Sequence, residues 1–276
     1  MAYADRLAKH LAAYKNSRLG VKEKGVGANG LMFDYILPKI LFRLNILESF
    51  RSEFWRYYGV PILDSKQQSR LTQDFHQLDS TQAVSFNLFF PFVQDQSALG
   101  ILLKALGLEE RRFDGFSFET QVDVVEGAYF DFHMQSESGG VYTVLRYAED
   151  SFGSVETPTP GQQKKLRDIY TGRLKGRVPD MCLKPEVFFD HYDILRSVSM
   201  IDPGGKDHLV LIHPRANERL ERKVGDVRFM LSGSLGAQVT FIHLEDLVDQ
   251  ILQSAVCPDA RFKAHYSAFA EKYLIG

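Results

Sequence analysis

The sequence predicts an α/β fold in which a central mixed sheet is flanked by helices, with a further helical region at the N-terminus. Three observations lead there. Apolar residues recur at helical intervals over roughly the first 110 residues. The pattern then switches to runs rich in Phe, Val and Tyr at 117–126, 128–135 and 140–147, which read as strands. Beyond residue 154, helical stretches alternate with two short apolar runs, Leu209–His213 and Val239–Ile242, of the kind found in strands covered on both faces.

Leu7, Leu11 and Tyr14 share one face of a helix over 3–16, and the glycines between Gly20 and Gly30 mark a loop. Helix-like spacing continues near 34–58, 65–77, 80–90 and 95–106, with Pro38, Pro61 and Pro91 as breaks. The strands over 128–135 and 140–147 form a hairpin whose turn, Ser136 to Gly140, supplies glycines for positive φ. A loop holding Pro158, Pro160 and Gly161 leads to a helix over 161–175, and a second helix fits 185–199. The two later strands are separated by a charged helical stretch from Arg215 to Leu231, and helices over 243–255 and 258–273 close the chain. There is no internal repeat, low-complexity tract or linker. The reading is therefore one domain over 1–276, with 1–110 its helical subregion and 111–276 its α/β core.

Composition narrows the functional classes. A chain of 276 residues, 45% hydrophobic, can bury a sizeable core without covalent staples. Cys182 and Cys257 match no zinc or redox spacing, so both are expected as reduced thiols. The first thirty residues carry no apolar leader segment, and no stretch is long enough for a bilayer span, which predicts a cytoplasmic protein. A formal net charge of −2 and a pI near 6.5 exclude a globally basic nucleic-acid binder, so such binding would require a local patch.

The hairpin carries the strongest chemical signal. Alternate side chains of a strand share a face, so Asp131 and His133 point one way and Phe130, Phe132 and Met134 the other. On the partner strand Tyr142, Val144 and Arg146 share a face, so a carboxylate on one strand can meet an i, i+2 pair on the next. Metal-dependent nucleases use this geometry, with carboxylates holding Mg²⁺ and a basic residue positioning or activating water. The plain alternative is that Asp131 caps a nearby backbone amide.

Phe130-Asp131-Phe132, the hairpin, Val144-Leu145-Arg146-Tyr147 and Phe152-Gly153 resemble the catalytic hairpin of the PD-(D/E)XK nuclease superfamily. More narrowly, the chain resembles a bacterial family of restriction-endonuclease-like proteins named after a Porphyromonas gingivalis member. Matching segments include Asn45-Ile46-Leu47-Glu48, Ser80-Thr81-Gln82-Ala83, Phe86-Asn87-Leu88-Phe89 and Val125-Glu126-Gly127. His191-Tyr192-Asp193-Ile194-Leu195-Arg196 and His213-Pro214-Arg215-Ala216-Asn217 continue the match. The resemblance implies a restriction-endonuclease-like core and phosphodiester hydrolysis in DNA, with RNA as the alternative substrate and Mg²⁺ as cofactor.

This chain departs from the pattern where it matters chemically. Val144-Leu145-Arg146 stands in place of Glu-x-Lys, and Asp193 stands where the family tends to place Gln. Val144 cannot bind a metal, and Arg146 can hold a phosphate but cannot act as a general base. Two explanations compete. In one, Glu126 supplies the missing ligand beside Asp131, with Glu119 and Glu149 as weaker candidates; in the other, cleavage is lost and a scaffold that binds nucleic acid or a partner protein remains.

Lys164, Lys165, Arg167, Arg173, Lys175 and Arg177 form a basic patch on a helix and its exit, suited to a phosphate backbone or simply to a solvated face. Gln162 and Gln163 open that helix and can serve as phosphate contacts or as ordinary cap residues. Asp193 and Arg196 lie at i, i+3 and are expected to pair. Gly25-Val26-Gly27-Ala28-Asn29-Gly30 spells GxGxxG without the preceding strand a dinucleotide site needs, and Ser232-Gly233-Ser234-Leu235-Gly236 is not a nucleophile elbow. The aromatic run Phe86–Phe92 reads as core.

Overall fold

The computed structural model describes residues 2–58, 71–123, 128–231, 235–255 and 258–275. The chain starts with helix α1 (Tyr3–Arg18), the short antiparallel strands β1 (Gly25–Val26) and β2 (Met32–Phe33), and a 3-10 segment over Lys39–Asn45. Helices α2 (Glu48–Tyr58), α3 (Thr81–Gln94) and α4 (Leu99–Ala105) come next, then strands β3 (Gly115–Asp123), β4 (Ala128–Gln135) and β5 (Val141–Leu145). Helix α5 (Pro160–Lys165) runs through a π-helical turn, Leu166–Tyr170, into α6 (Thr171–Leu174). After α7 (Pro185–Asp190) and α8 (Tyr192–Met200) come β6 (His208–His213), α9 (Glu218–Met230), β7 (Val239–His243), α10 (Leu244–Leu252) and α11 (Ala260–Tyr273). The chain falls into two compact units. One comprises Met1–Glu110, Pro214–Ala216 and His243–Gly276, and the other Arg111–His213 and Asn217–Ile242.

The first unit is built around α3. Eleven consecutive residues of this helix, Gln82 to Phe92, are buried, so it needs cover on every side, and α2 and α11 pack against it. Leu7, Leu11 and Tyr14 of α1 are buried as their spacing predicts, and α1 packs on α11. Pro91, expected to end the helix, lies inside it. A proline has no N–H for the carbonyl four residues earlier, which here belongs to Asn87. His265 of α11 fills the gap: its Nε2 donates to the Asn87 carbonyl at 2.7 Å, and Tyr266 donates to Leu88 O at 2.7 Å. Burial pushes the His265 pKa down to about 4, which keeps the ring neutral and suited to this role.

Two more expectations in this unit need correction. Residues 71–77 form turns, whereas the spacing over 65–77 suggests a helix; 65–70 lie outside the described residues. The backbone groups of these turns are taken by distant donors and acceptors: Asn45 Nδ2 donates to Phe75 O and Gln77 O, and Leu37 N donates to His76 O. The glycine-rich stretch is a loop broken by β1, which pairs with β2.

The second unit holds a five-stranded mixed sheet in the order β3-β4-β5-β6-β7. β3, β4 and β5 are antiparallel neighbours, while β5 and β6 run parallel from Val141↔His208 to Leu145↔Ile212. Every residue of β5 is buried, consistent with a strand covered on both faces. Tyr142, Val144, Leu209 and Leu211 share a core with Leu174, Phe188, Ile194, Leu195, Leu220 and Val224 from the flanking helices. The hairpin turn is as expected. Gly139 has φ +122, and a side chain there would meet the Lys206 carbonyl, while Ser136 Oγ donates to Gly139 O at 2.6 Å.

One correction bears directly on the site. The helix expected over 185–199 is two helices, α7 and α8, broken at His191 (φ −121°, ψ 33°). Residues 153–155 enter the gap: Val155 N takes the Phe189 carbonyl at 2.8 Å, and Asp193 N turns to Gly153 O at 3.4 Å. Together these two bonds replace one rung of a continuous helical ladder, the Asp193 N to Phe189 O bond, by satisfying its acceptor and its donor separately.

Cys182 is a free thiol in the core, with its pKa raised by burial, and Cys257 lies outside the described residues. No helix among the described residues is long and apolar enough to cross a membrane.

Candidate active site

Asp131 sits in β4 and Arg146 immediately follows β5. The register that pairs His133 with Tyr142 sets Asp131 on the face of Tyr142, Val144 and Arg146. Asp131 Oδ2 lies 3.7 Å from Arg146 Nη1 and accepts a 2.7 Å bond from Leu145 N. The amide-capping role and the guanidinium partner foreseen for Asp131 therefore coexist. His133 is buried, stacks on Tyr142 at 4.3 Å between ring centres, and has its pKa lowered by burial, so it belongs to the core.

The other Arg146 Nη atom lies 3.6 Å from Asp193 Oδ2, and Asp193 Oδ1 lies 3.4 Å from Arg196 Nη2. The expected i, i+3 pair is thus present. What the spacing could not show is that Asp193 also reaches Arg146, forming a chain of alternating charges from Asp131 through Arg146 and Asp193 to Arg196. The break at His191 starts α8 anew and puts Asp193 in its first turn, where the helix dipole favours a carboxylate. Gly153 makes room for it: its φ is +87, and a Cβ there would lie 2.0 Å from Asp193 Oδ2. Gly153→Ala is accordingly expected to destabilise the protein by about 1–3 kcal/mol in urea denaturation. An unchanged midpoint would mean that the carboxylate is not seated on this glycine.

The side chains of Asp131 and Arg146 are 16% and 19% exposed, so the pair is shielded but open to solvent. Burial raises the Asp131 pKa to about 6, against the lowering influence of Arg146 and the Leu145 amide; Glu149 adds a smaller raising influence. Arg146 Nη1 donates to the Leu145 carbonyl at 2.8 Å, while its ion-pair distances exceed the 2.7–2.9 Å typical of charge-assisted hydrogen bonds, so the carboxylates do not lock its remaining donors. A phosphate oxygen can compete for them.

The remaining candidates are distributed as follows. Glu126 lies outside the described residues. Glu119 is in β3 with φ 51°, between Phe118 and Thr120, whose β4 partners Phe132 and Phe130 flank Asp131. Glu149 Oε2 accepts from Tyr147 N at 2.7 Å, and its carbonyl accepts from Asn217 Nδ2 at 2.8 Å, which ties the loop after β5 in place. Val144 is 3% exposed in the core and offers no ligand.

In the basic patch, Lys164 and Lys165 lie on α5, Arg167 on the π-helical turn and Arg173 on α6, with Lys175 and Arg177 beyond. Lys164, Arg167, Arg173 and Lys175 are exposed, whereas Lys165 and Arg177 are half-buried. Gln162 takes the ordinary role. It forms a capping box with Thr159, accepting from Thr159 N at 2.9 Å and donating its own N–H to Thr159 Oγ1 at 3.2 Å.

The model of the family described as Restriction Endonuclease associating with ARP matches residues 8–274. The chain belongs to this family. Neither a curated protein nor a solved structure matches it. Membership in this restriction-endonuclease family agrees with the mixed five-stranded sheet flanked by helices, and it makes the chain nuclease-like in kind. Within this member, the charge chain from Asp131 to Arg196 is the feature around which chemistry can be argued.

Proposed function

We propose that the chain hydrolyses phosphodiester bonds in DNA with Mg²⁺, as a divergent member of the PD-(D/E)XK superfamily related to the Porphyromonas-type proteins. The observation that carries the reading is the partly open Asp131–Arg146 pair on one face of β4 and β5. The donor chemistry suits the ion, since Mg²⁺ takes hard oxygen ligands and is often held by one or two carboxylates, with water and substrate phosphate completing its shell. Asp131 would hold it, with Glu126 as the second ligand. When bound, the ion supplies a water of lowered pKa and polarises a phosphoryl oxygen.

Arg146 would donate from both Nη atoms to non-bridging phosphate oxygens and stabilise the charge that develops in the transition state. It stays charged throughout and takes no proton. Asp193 lies 3.6 Å from the other Nη atom and gives the guanidinium a second anionic neighbour. Lys164, Lys165, Arg167, Arg173, Lys175 and Arg177 would guide the backbone of the substrate. A cytoplasmic setting fits the buried free thiol of Cys182.

A second reading has its own support in the buried Val144, which occupies the place of a ligand with a methyl-bearing side chain. On that reading the chain binds nucleic acid or a protein partner without cutting, and the ARP named in the family description is the partner to test.

Incubation of supercoiled plasmid with the chain and Mg²⁺ distinguishes the two. Nicking by the wild type that Asp131→Ala removes is the expected outcome, with single-stranded RNA run in parallel as the competing substrate. Mobility shifts at low salt without nicking would replace the enzyme by the binding protein. An absence of both would sink the nucleic-acid role, because phosphate contacts are strongest under those conditions.

A further inference from the structure

Exposed apolar side chains are unevenly placed on the second unit. Among its described residues only two large hydrophobic side chains are exposed, Met181 at 48% and Phe229 at 70%. Both line the same groove, of about 490 Å³. Met181 comes from the 3-10 turn Asp180–Leu183, Val187 from α7, and Gly225, Phe229 and Met230 from the second half of α9. Single apolar residues scattered over a surface are ordinary, whereas apolar side chains gathered in one recess mark a place that another molecule covers.

Gly225 is a second, separate sign. It stands inside α9, one turn before Phe229 and on the same face, and is exposed. Glycine is a poor helix former, so at such a position it ordinarily answers to a close neighbour. Here an added Cβ would meet nothing within 4 Å outside its own helix among the described residues, so the fold itself does not require the glycine. Bare backbone facing the groove lets an outside chain approach closely.

The rim sets the charge of what fits. Three of the lining residues are carboxylates, Glu186, Asp190 and Asp226, and among the described residues no lysine or arginine lines the groove. Asp190 is answered by Lys223 at 2.7 Å. Glu186 and Asp226 are exposed and enter no ion pair or hydrogen bond among the described residues. His191 is buried, and burial lowers its pKa, so it adds no positive charge at neutral pH. A phosphate backbone would meet like charge here, whereas a cationic ligand would meet its complement.

We propose that this groove docks a segment of a partner protein in which an apolar side chain is flanked by lysine or arginine. The apolar side chain would pack on Met181 and Phe229 over Gly225, and the cationic groups would reach Glu186 and Asp226 at the rim. The docking does not depend on whether the chain cuts DNA, since no residue of the charge chain from Asp131 to Arg196 lines the groove.

The experiment selects ligands for the full chain from a random peptide library displayed on phage, with Gly225→Leu as the counter-selecting protein. The added side chain occupies the groove, and because leucine is the better helix former the melting temperature should stay the same or rise. Enriched sequences should place Lys or Arg on both sides of an apolar residue. A selected peptide, followed by fluorescence anisotropy, should bind at least about tenfold more weakly to Phe229→Ser and to the double variant Glu186→Lys, Asp226→Lys. Its affinity for the wild type should fall as salt rises. The substituted side chains are exposed, so thermal melting should show both variants folded. Leu31→Ser, a comparable loss of an exposed apolar side chain in the first unit, should bind as the wild type does.

The proposal is overturned by a selection that does not favour the wild type over Gly225→Leu, by a consensus without cationic residues, or by a peptide indifferent to Phe229 and the rim. Sedimentation of the chain alone decides against a foreign partner if it shows dimers that Phe229→Ser dissolves, because a second copy is then the occupant. Duplex DNA whose binding weakens with Phe229→Ser would likewise replace the peptide by nucleic acid.

Discussion

On the proposed function, Asp131→Asn is expected to lower Mg²⁺-dependent cleavage by about a hundredfold or more, because it would remove a ligand charge from the ion. The same change is expected to raise folding stability at pH 8 by about 1–3 kcal/mol. The second effect follows from the pKa of Asp131, raised from 3.8 to about 6 by burial. A carboxyl that binds its proton more tightly in the folded than in the unfolded state contributes stability that is fully present below pH 4 and is lost as pH rises through 6. At pH 8 the native protein therefore carries the full penalty of a buried charge, which the amide does not. The Asn side chain still accepts from Leu145 N, and Arg146 retains Asp193, so the structural cost is small. Chemical denaturation from pH 4 to 8 checks this. The variant should lack the wild type's loss of stability between pH 4 and 6, and identical pH profiles would show that Asp131 is not held in an unfavourable environment. On the proposed function, cleavage by the wild type should also fall below pH 6, where the proton would compete with the metal for the carboxylate.

Asn87→Ala is expected to cost about 3–5 kcal/mol. Asn87 is 1% exposed in the middle of α3. Its Oδ1 accepts from Leu47 N at 2.7 Å, and the two hydrogens of its Nδ2 are shared among Asn45 O, Ala83 O and the Tyr273 hydroxyl at 3.0, 2.7 and 2.8 Å. Truncation leaves the Leu47 amide without this acceptor in the interior and opens a void beside Tyr273. The same network holds Lys272, whose buried ammonium donates to Asn45 O and Oδ1, both at 2.7 Å, and whose pKa burial lowers well below the usual lysine value. Asn29→Ala provides the contrast. Its side chain takes one exposed hydrogen bond from Leu31 N, so the loss should be within about 0.5 kcal/mol. Urea midpoints that differ little between the two variants would refute the claim that this polar network organises the first unit.

Elements defined by local periodicity were legible before any tertiary information. Leu7, Leu11 and Tyr14 placed α1, alternation placed β4 and β5, and the charged stretch after Arg215 placed α9. Pro91 and His191 were misread because each is settled by a group far away in sequence. His265 satisfies the carbonyl that Pro91 orphans, and Gly153 and Val155 take the two ends of the rung between Phe189 and Asp193 that is lost at His191. A local pattern holds no record of such partners.

The site divides along the same line. The sequence by itself determined that an acidic and a guanidinium side chain share one face of a hairpin, since the two-residue period of a strand admits no other arrangement once the register is set. It also determined that Val144 and Arg146 stand where the nuclease pattern that the chain resembles has Glu and Lys. Only the tertiary structure decided that Asp193 joins Arg146, that Gly153 is needed to seat it, and that Met181 and Phe229, far apart in the chain, line one groove. Those facts depend on which segments are packed together, and burial and charge act through space between residues that the chain separates.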